Sequence, residues 1–136
     1  MSTRATYTFI DFPDAAWSHG PVSVYKHWDG YPSQAAQSIA AALEFAWTLP
    51  RFEADEFAAA FVAANKPAKG GGVRLIGDGD WKKFAEDQEY HYEITVIDGK
   101  LLVAAFSVSI FYGSDEDESI VELYRGPLEG LATVVA

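Results

Sequence analysis

The chain has 136 residues, 49% of them hydrophobic and 15% aromatic, and this length fits one compact domain with its own core. It contains no cysteine, which excludes disulfides, thiolate catalysis and cysteine-based zinc sites and is typical of a reducing compartment. No apolar run, that at residues 101–106 included, is long enough to cross a bilayer, so we expect no membrane partner.

The formal net charge is −10, and nearly all of it comes from the C-terminal part of the chain. Residues 1–83 carry nine acidic and eight basic side chains, whereas residues 84–136 carry eleven acidic side chains against Lys100 and Arg125. A field of this sign repels phosphate and attracts basic surfaces, so we expect a basic protein partner and no direct binding of nucleic acid. The alternative interpretation is that the acidic side chains only keep an aromatic-rich protein soluble.

The N-terminal part of the chain predicts an antiparallel hairpin. Residues 6–12 and 22–27 are rich in aromatic and β-branched side chains and form its two strands. Residues 13–20, which contain proline, aspartate, serine and glycine, form the loop between them. Asp29-Gly30 then ends the second strand.

Two helices follow the predicted hairpin. The first has Ser33 as its N-cap and continues to Trp47, because its apolar side chains recur at helical spacing. The second covers residues 53–65 and has acidic side chains at its positive end. The glycines at 70–72 end it and act as a hinge, and residues 73–76 form a short edge strand.

The C-terminal part predicts a second hairpin, 89–97 and 100–110, joined by the two-residue turn Asp98-Gly99. One helical turn at 81–84 precedes this hairpin, and a final strand at 119–125 follows it. One hairpin face is entirely apolar or aromatic and forms a core face: Tyr90, Tyr92, Ile94, Val96, Leu101, Val103 and Ala105. The other face is polar on one strand and apolar on the next, so part of it must be covered. The fold class is α+β, a single domain (1–136) with a mainly antiparallel sheet.

Residues 27–32 read HWDGYP, and residues 89–94 read EYHYEI. The first segment resembles the HWDGYP segment of small phage, prophage and bacterial proteins, in which an EYxYxI-type strand also recurs. The resemblance implies a mobile-element origin and supplies no catalytic residues. In a structural interpretation, Trp28 and Tyr31 clamp the strand against the helix, and Pro32 starts that helix. In the alternative, His27 and Asp29 bind a ligand.

The three histidines carry the main enzymatic alternative. His27 and Asp29 share one strand face, as do Glu89, His91 and Glu93, because residues two apart point the same way. If the two strands were neighbours, His27, Asp29, His91 and a glutamate would converge on a divalent metal such as zinc or manganese. The alternative function is therefore a small metal-dependent enzyme or ligand-binding domain. The sequence contains no G-x-S-x-G nucleophile elbow.

The acidic run after the second hairpin carries the interaction hypothesis. Its like charges mimic a phosphate track, and neighbouring rings supply apolar anchors. The predicted partner-binding residues are Asp115, Glu116, Asp117, Glu118, Glu122, Phe111, Tyr112 and Tyr124. We expect no cofactor, metal or catalytic residue in this case.

The first functional hypothesis is thus a non-enzymatic, phage-derived interaction protein in the bacterial cytoplasm. It would bind a host defence nucleoprotein, such as a CRISPR effector, and block its access to nucleic acid, as anti-CRISPR-type inhibitors do. A third hypothesis is a homodimer formed through the half-apolar outer face of the second hairpin.

Overall fold

The computed structural model describes residues 3–11, 21–77, 80–83, 88–109 and 119–134. They form one α+β domain with a six-stranded sheet and three helices. The strands are β1 (Ala5–Phe9), β2 (Val22–Lys26), β3 (Val73–Leu75), β4 (Tyr90–Ile97), β5 (Lys100–Ser109) and β6 (Ser119–Pro127), and the helices are α1 (Pro32–Ala42), α2 (Ala54–Asn65) and α3 (Leu128–Leu131). A 3₁₀ turn, Trp81–Lys83, precedes β4. The predicted loop 13–20 and the outer ends of the predicted elements at Phe12, Phe84 and Ile110 lie outside the described residues.

The sheet is mixed, with the strand order β3-β2-β1-β4-β5-β6. The predicted antiparallel arrangement is confirmed for four pairs of neighbouring strands: β1 with β2, β2 with β3, β4 with β5, and β5 with β6. At the centre β1 and β4 are parallel, with Ala5 opposite Tyr90, so the described sheet is mainly but not wholly antiparallel. Parallel neighbours need a long crossover rather than a tight turn. Here the chain reaches β4 after passing through β2, both long helices and β3.

The predicted N-cap of α1 is wrong, whereas the expectation that Pro32 starts this helix is confirmed. Its N-cap is Tyr31, which has an extended backbone, and Pro32 occupies the first helical turn. Proline is favoured there because the first helical N–H groups have no partner within the helix. Ser33 is therefore an exposed residue inside the helix rather than its cap.

The predicted end of α1 is also wrong, because the helix stops at Ala42 instead of Trp47. Turns follow, in which the N–H groups of residues 43–46 donate to carbonyls of residues 40–42. The backbone N–H of Trp47 then donates to the Glu56 carboxylate of α2, with both oxygens at 3.2 Å. That tertiary contact draws the chain away from the helix axis. The second predicted helix is confirmed within one residue as α2.

The hydrophobic core lies between the helices and the inner face of the sheet. Tyr7 and Phe9 of β1 pack against Phe61 of α2, with ring centroids 4.6 Å and 5.4 Å apart. All seven residues predicted for the core face of the second hairpin are buried. The predicted turn is confirmed as well, since Asp98 (φ 54°) and Gly99 (φ 75°) have the left-handed backbone of a type I′ turn.

None of the three described α-helices covers the outer face of the sheet, yet the centre of that face is buried. Thr6, Thr8, Ser23 and His91 all lie there and are at most 5% exposed. The chain between β3 and β4 contributes Trp81, whose ring stacks on His91. The expectation that part of the second hairpin's outer face must be covered is therefore confirmed at β4. Among the described helices, none is long and apolar enough to cross a membrane.

Candidate functional site

The HWDGYP segment follows β2 and is held in place by contacts on both sides. Tyr25 Oη and His27 Nδ1 share a hydrogen bond of 2.7 Å, and the N–H of His27 donates to the carbonyl of Gly72 at 3.0 Å. The Trp28 ring lies against Gly71 and Gly72, where a β-carbon at Gly72 would collide with it. Gly71 and Gly72 therefore form a close-fitting wall for this segment. The prediction that the glycines end α2 is wrong, because the helix has already ended at Asn65.

The second half of the segment is anchored to β1 and β4. Asp29 has a left-handed backbone (φ 57°), and Gly30 donates its N–H to Thr3 O at 3.0 Å. Tyr92 Oη donates to the carbonyl of Gly30 at 2.5 Å. The ring of Tyr31 packs beside that of Tyr90, with the two ring centroids 5.8 Å apart. The clamp is thus made between the segment, a glycine turn and β4, rather than between β2 and α1.

A polar pocket of about 320 Å³ lies beside the segment, between the end of β2 and the two long helices. Its lining residues are Lys26, Trp28, Asp29, Gln34, Gln37, Ser38, Ala64 and Asn65. Lys26 is 3% exposed and donates from Nζ to the carbonyl of Trp28 at 3.0 Å. Burial lowers the pKa of Lys26, and the Asp29 carboxylate opposes that effect.

The predicted metal site is not formed. His27 and Asp29 follow β2, His91 lies on β4, and β1 runs between these strands, so the condition that the two strands are neighbours is not met. His91 is fully buried beneath Trp81, whereas Asp29 is exposed on the side of the helices. Within the ranges that the structure describes, no three histidine, aspartate or glutamate side chains are grouped to hold a metal ion.

A second polar cluster, which the sequence did not predict, surrounds His91. Its Nδ1 shares a 2.8 Å hydrogen bond with Thr6 Oγ1, and its ring stacks on Trp81 with centroids 3.6 Å apart. Its Nε2 lies 3.4 Å from Glu93 Oε2 without the alignment of a hydrogen bond. A Thr–His–Glu row has the groups of a proton relay. Because Thr6 and His91 are both fully buried, no substrate reaches the hydroxyl, and the cluster holds β1, β4 and the 3₁₀ turn together.

We expect the His91 cluster to make stability depend on pH between 5 and 7. Burial lowers the pKa of folded His91 below its usual value of 6.5, although Glu93 and Thr6 oppose the shift. As the pH falls through 6.5, the unfolded chain takes up a proton that folded His91 refuses, so the free energy of unfolding decreases. The free energy of unfolding should fall by at most about 1.4 kcal/mol for each pH unit. Denaturant unfolding at pH 7, 6 and 5 measures this slope.

The matched variant for this prediction is His91→Phe, which keeps an aromatic ring against Trp81. We expect it to lower stability at every pH, because Thr6 loses its partner, but to flatten the slope. An equal slope in both proteins would show that His91 is not the group responsible. The range stops at pH 5 because His91 lowers the pKa of Glu93 below its usual value of 4.5, and that group adds its own loss at more acidic pH.

An exposed apolar surface follows α1, and we call Leu43, Phe45 and Trp47 the connector surface. These side chains are 39%, 61% and 37% exposed. The Arg51 guanidinium stacks over the Trp47 ring, 3.5 Å from its centroid. Trp47 is thus contacted twice, by Arg51 at its ring and by Glu56 at its backbone N–H, although its ring is partly exposed to solvent.

Most of the predicted partner-binding residues, namely Phe111, Tyr112, Asp115, Glu116, Asp117 and Glu118, lie outside the described residues. Glu122 and Tyr124 lie on β6 and point to opposite faces of the sheet, because a bulge places Tyr124 opposite Ala105 and Glu122 opposite Phe106. Glu122 accepts hydrogen bonds from the Arg125 guanidinium, the shorter at 2.7 Å. Tyr124 is partly buried against the core and donates to the carbonyl of Pro127 at 2.5 Å.

The outer face of the second hairpin, proposed as a dimer surface, contains a shallow groove of about 240 Å³ over β4 and β5. Thr95, Leu102 and Ala104 line it, with Glu93 and Arg125 at its border. The Thr95 hydroxyl is buried there without a hydrogen bond. The homodimer hypothesis keeps this groove as its contact surface, and sedimentation velocity tests it.

No protein-family model matches this sequence, and comparisons with curated proteins and with solved structures find no significant similarity.

Proposed function

We propose that this chain is a non-enzymatic interaction protein that binds a positively charged protein through the connector surface. The observation that carries the proposal is the exposure of Phe45 and Trp47 on a connector in which Arg51 and Glu56 both contact Trp47. Large aromatic side chains that are ordered before binding are the residues that dominate protein interfaces. They add contact area without the entropy cost of ordering a flexible chain.

The charge around the connector surface supports a basic partner. Glu44, Glu53, Asp55 and Glu56 lie within or next to the connector in sequence, against one cation, Arg51, which is already stacked on Trp47. Acidic residues around an apolar centre attract a partner of opposite charge and speed its association at low salt. The overall charge of −10 acts in the same direction at longer range.

The partner class that we propose is a host defence nucleoprotein, such as a CRISPR effector, in the cytoplasm of a bacterium. Proteins that hold nucleic acid present basic grooves, which are the surfaces that an acidic protein with aromatic anchors fits. Occupation of such a groove would block nucleic acid, as anti-CRISPR-type inhibitors do. The resemblance of residues 27–32 to phage and prophage proteins supports a target of this kind, and the acidic run 115–118 would act as the phosphate mimic.

The proposal is tested by comparing tagged wild-type protein with the double variant Phe45→Ser/Trp47→Ser. Each is used to capture partners from a lysate of defence-competent bacteria at low and at high salt, followed by mass spectrometry. We expect the wild type to recover a nucleic-acid-binding complex that is lost at high salt. The double variant should bind the purified complex at least about 30-fold more weakly, because truncating an interface anchor costs about 2 kcal/mol or more.

Leu75→Ser is the matched control, because Leu75 is 68% exposed on the edge strand β3, away from the connector in the fold. It should bind the complex like the wild type. Equal binding by the double variant and the control would overturn the connector surface as the binding site. A separate variant with Asp115, Glu116, Asp117 and Glu118 changed to Ser tests the mimicry, and an unchanged affinity would contradict that part of the proposal.

A further inference from the structure

The polar pocket beside the HWDGYP segment has a lining that balances in charge. Lys26 and Asp29 are its one cation and one anion. Gln34, Gln37 and Asn65 contribute carboxamides, each of which can both donate and accept hydrogen bonds. The lining thus offers both hydrogen-bond donors and acceptors and carries no excess of charge that would select an anion or a cation.

The pocket is also preorganised. Asn65 Nδ2 donates to the carbonyls of Ser38 and Phe61, at 3.1 Å and 2.9 Å, which ties α1 to α2 and leaves Oδ1 as an acceptor. Lys26 Nζ donates one of its three N–H groups to the carbonyl of Trp28 and lies 5.6 Å from the centroid of the Trp28 ring. The Trp28 ring contributes a flat apolar wall, backed by the glycine turn.

We propose that this pocket binds a neutral sugar ring. The apolar face of a pyranose packs on an aromatic ring such as Trp28, and its hydroxyls, which donate and accept like carboxamides, match Asp29, Lys26 and Gln37. The proposal is independent of the connector surface, so either one can fail without the other.

The first test measures the binding of four sugars by saturation-transfer NMR and chemical-shift titration. The sugars are D-glucose, D-galactose, D-mannose and N-acetyl-D-glucosamine. We expect at least one of these sugars to bind the wild type and to bind Asp29→Asn about tenfold or more weakly, since hydrogen bonds to a charged group are the strong ones. Asp98→Asn is the matched control. Asp98 has nearly the same left-handed backbone as Asp29 (φ 54° against 57°), and asparagine tolerates this conformation.

Three results would overturn the sugar site. In the first, none of the four sugars gives a signal with the wild type. In the second, Asp29→Asn and Asp98→Asn bind the sugar equally well. In the third, D-glucuronate binds about tenfold more tightly than D-glucose, which would show that the pocket selects an anion instead of a neutral ring.

Discussion

Phe61→Ala should lower the free energy of unfolding by about 3–5 kcal/mol, the usual cost of emptying a fully buried phenylalanine site. Phe61 is 0% exposed and joins α2 to the sheet through the rings of Tyr7 and Phe9. Its removal leaves a cavity beneath two aromatic rings of the central strand, where the strand backbone cannot move inward to fill it. Equilibrium denaturation in urea measures the change.

Phe45→Ala makes the same chemical change on the surface and is the control. Because Phe45 is 61% exposed, we expect the free energy of unfolding of this variant to stay within about 0.5 kcal/mol of the wild-type value. A small effect at Phe45 together with weakened partner binding would separate the connector surface from the core. A loss at Phe61 below about 1 kcal/mol would contradict the packing described for α2.

Gly30→Ala should cost about 1–3 kcal/mol, since it forces an extra methyl group into a filled space. A β-carbon at Gly30 would stand 2.8 Å from Thr3 O and 3.0 Å from the β-carbon of Ala5. The backbone of Gly30 would have to shift, which would weaken its hydrogen bonds to Thr3 and from Tyr92. Thermal and urea unfolding of the variant measure the loss.

Gly77→Ala is the matched control for this change, because a β-carbon at Gly77 meets no atom within 4 Å. We expect Gly77→Ala to leave stability unchanged or slightly higher, as alanine reduces the entropy of the unfolded chain. If both variants behave alike, the glycine of the HWDGYP segment is not needed for close packing. The segment's structural role would then rest on its other residues.

The elements that depend on local chemistry were predictable from the sequence. The Asp98-Gly99 turn fixes the pairing of the second hairpin, because both of its residues accept the left-handed backbone that a type I′ turn needs. Its core face then follows from the alternation of side chains along each strand. Helix α2 was equally clear, since its buried residues Phe57 and Phe61 recur at helical spacing.

The features that depend on distant contacts were not predictable. The end of α1 is set by Glu56, which binds the Trp47 N–H and lies on the next helix. The parallel pairing of β1 with β4 joins residues 85 positions apart, as in the contact between Thr6 and His91. No local pattern at either strand indicates the partner or its direction.

The candidate sites divide in the same way. The HWDGYP residues were singled out by their sequence, but the pocket beside them needs Ser38 and Asn65 from the two helices. The metal hypothesis assumed that the strands of His27 and His91 were adjacent, and β1 lies between them. The connector surface was missed because Trp47 was assigned to a buried helical stripe, whereas α1 ends before reaching it.

The central position of β1 in the sheet affects how the chain folds during translation. β1 leaves the exit tunnel before any other described strand, yet one of its two neighbours, β4, starts at Tyr90. Until then, the hairpin of β1 and β2 carries an open strand edge, which is the kind of surface that pairs with other chains. Folding should therefore complete only late in translation and slowly, as long-range pairing delays the transition state. Nascent chains arrested before residue 90 should aggregate or recruit chaperones, and those arrested after β6 has emerged should not.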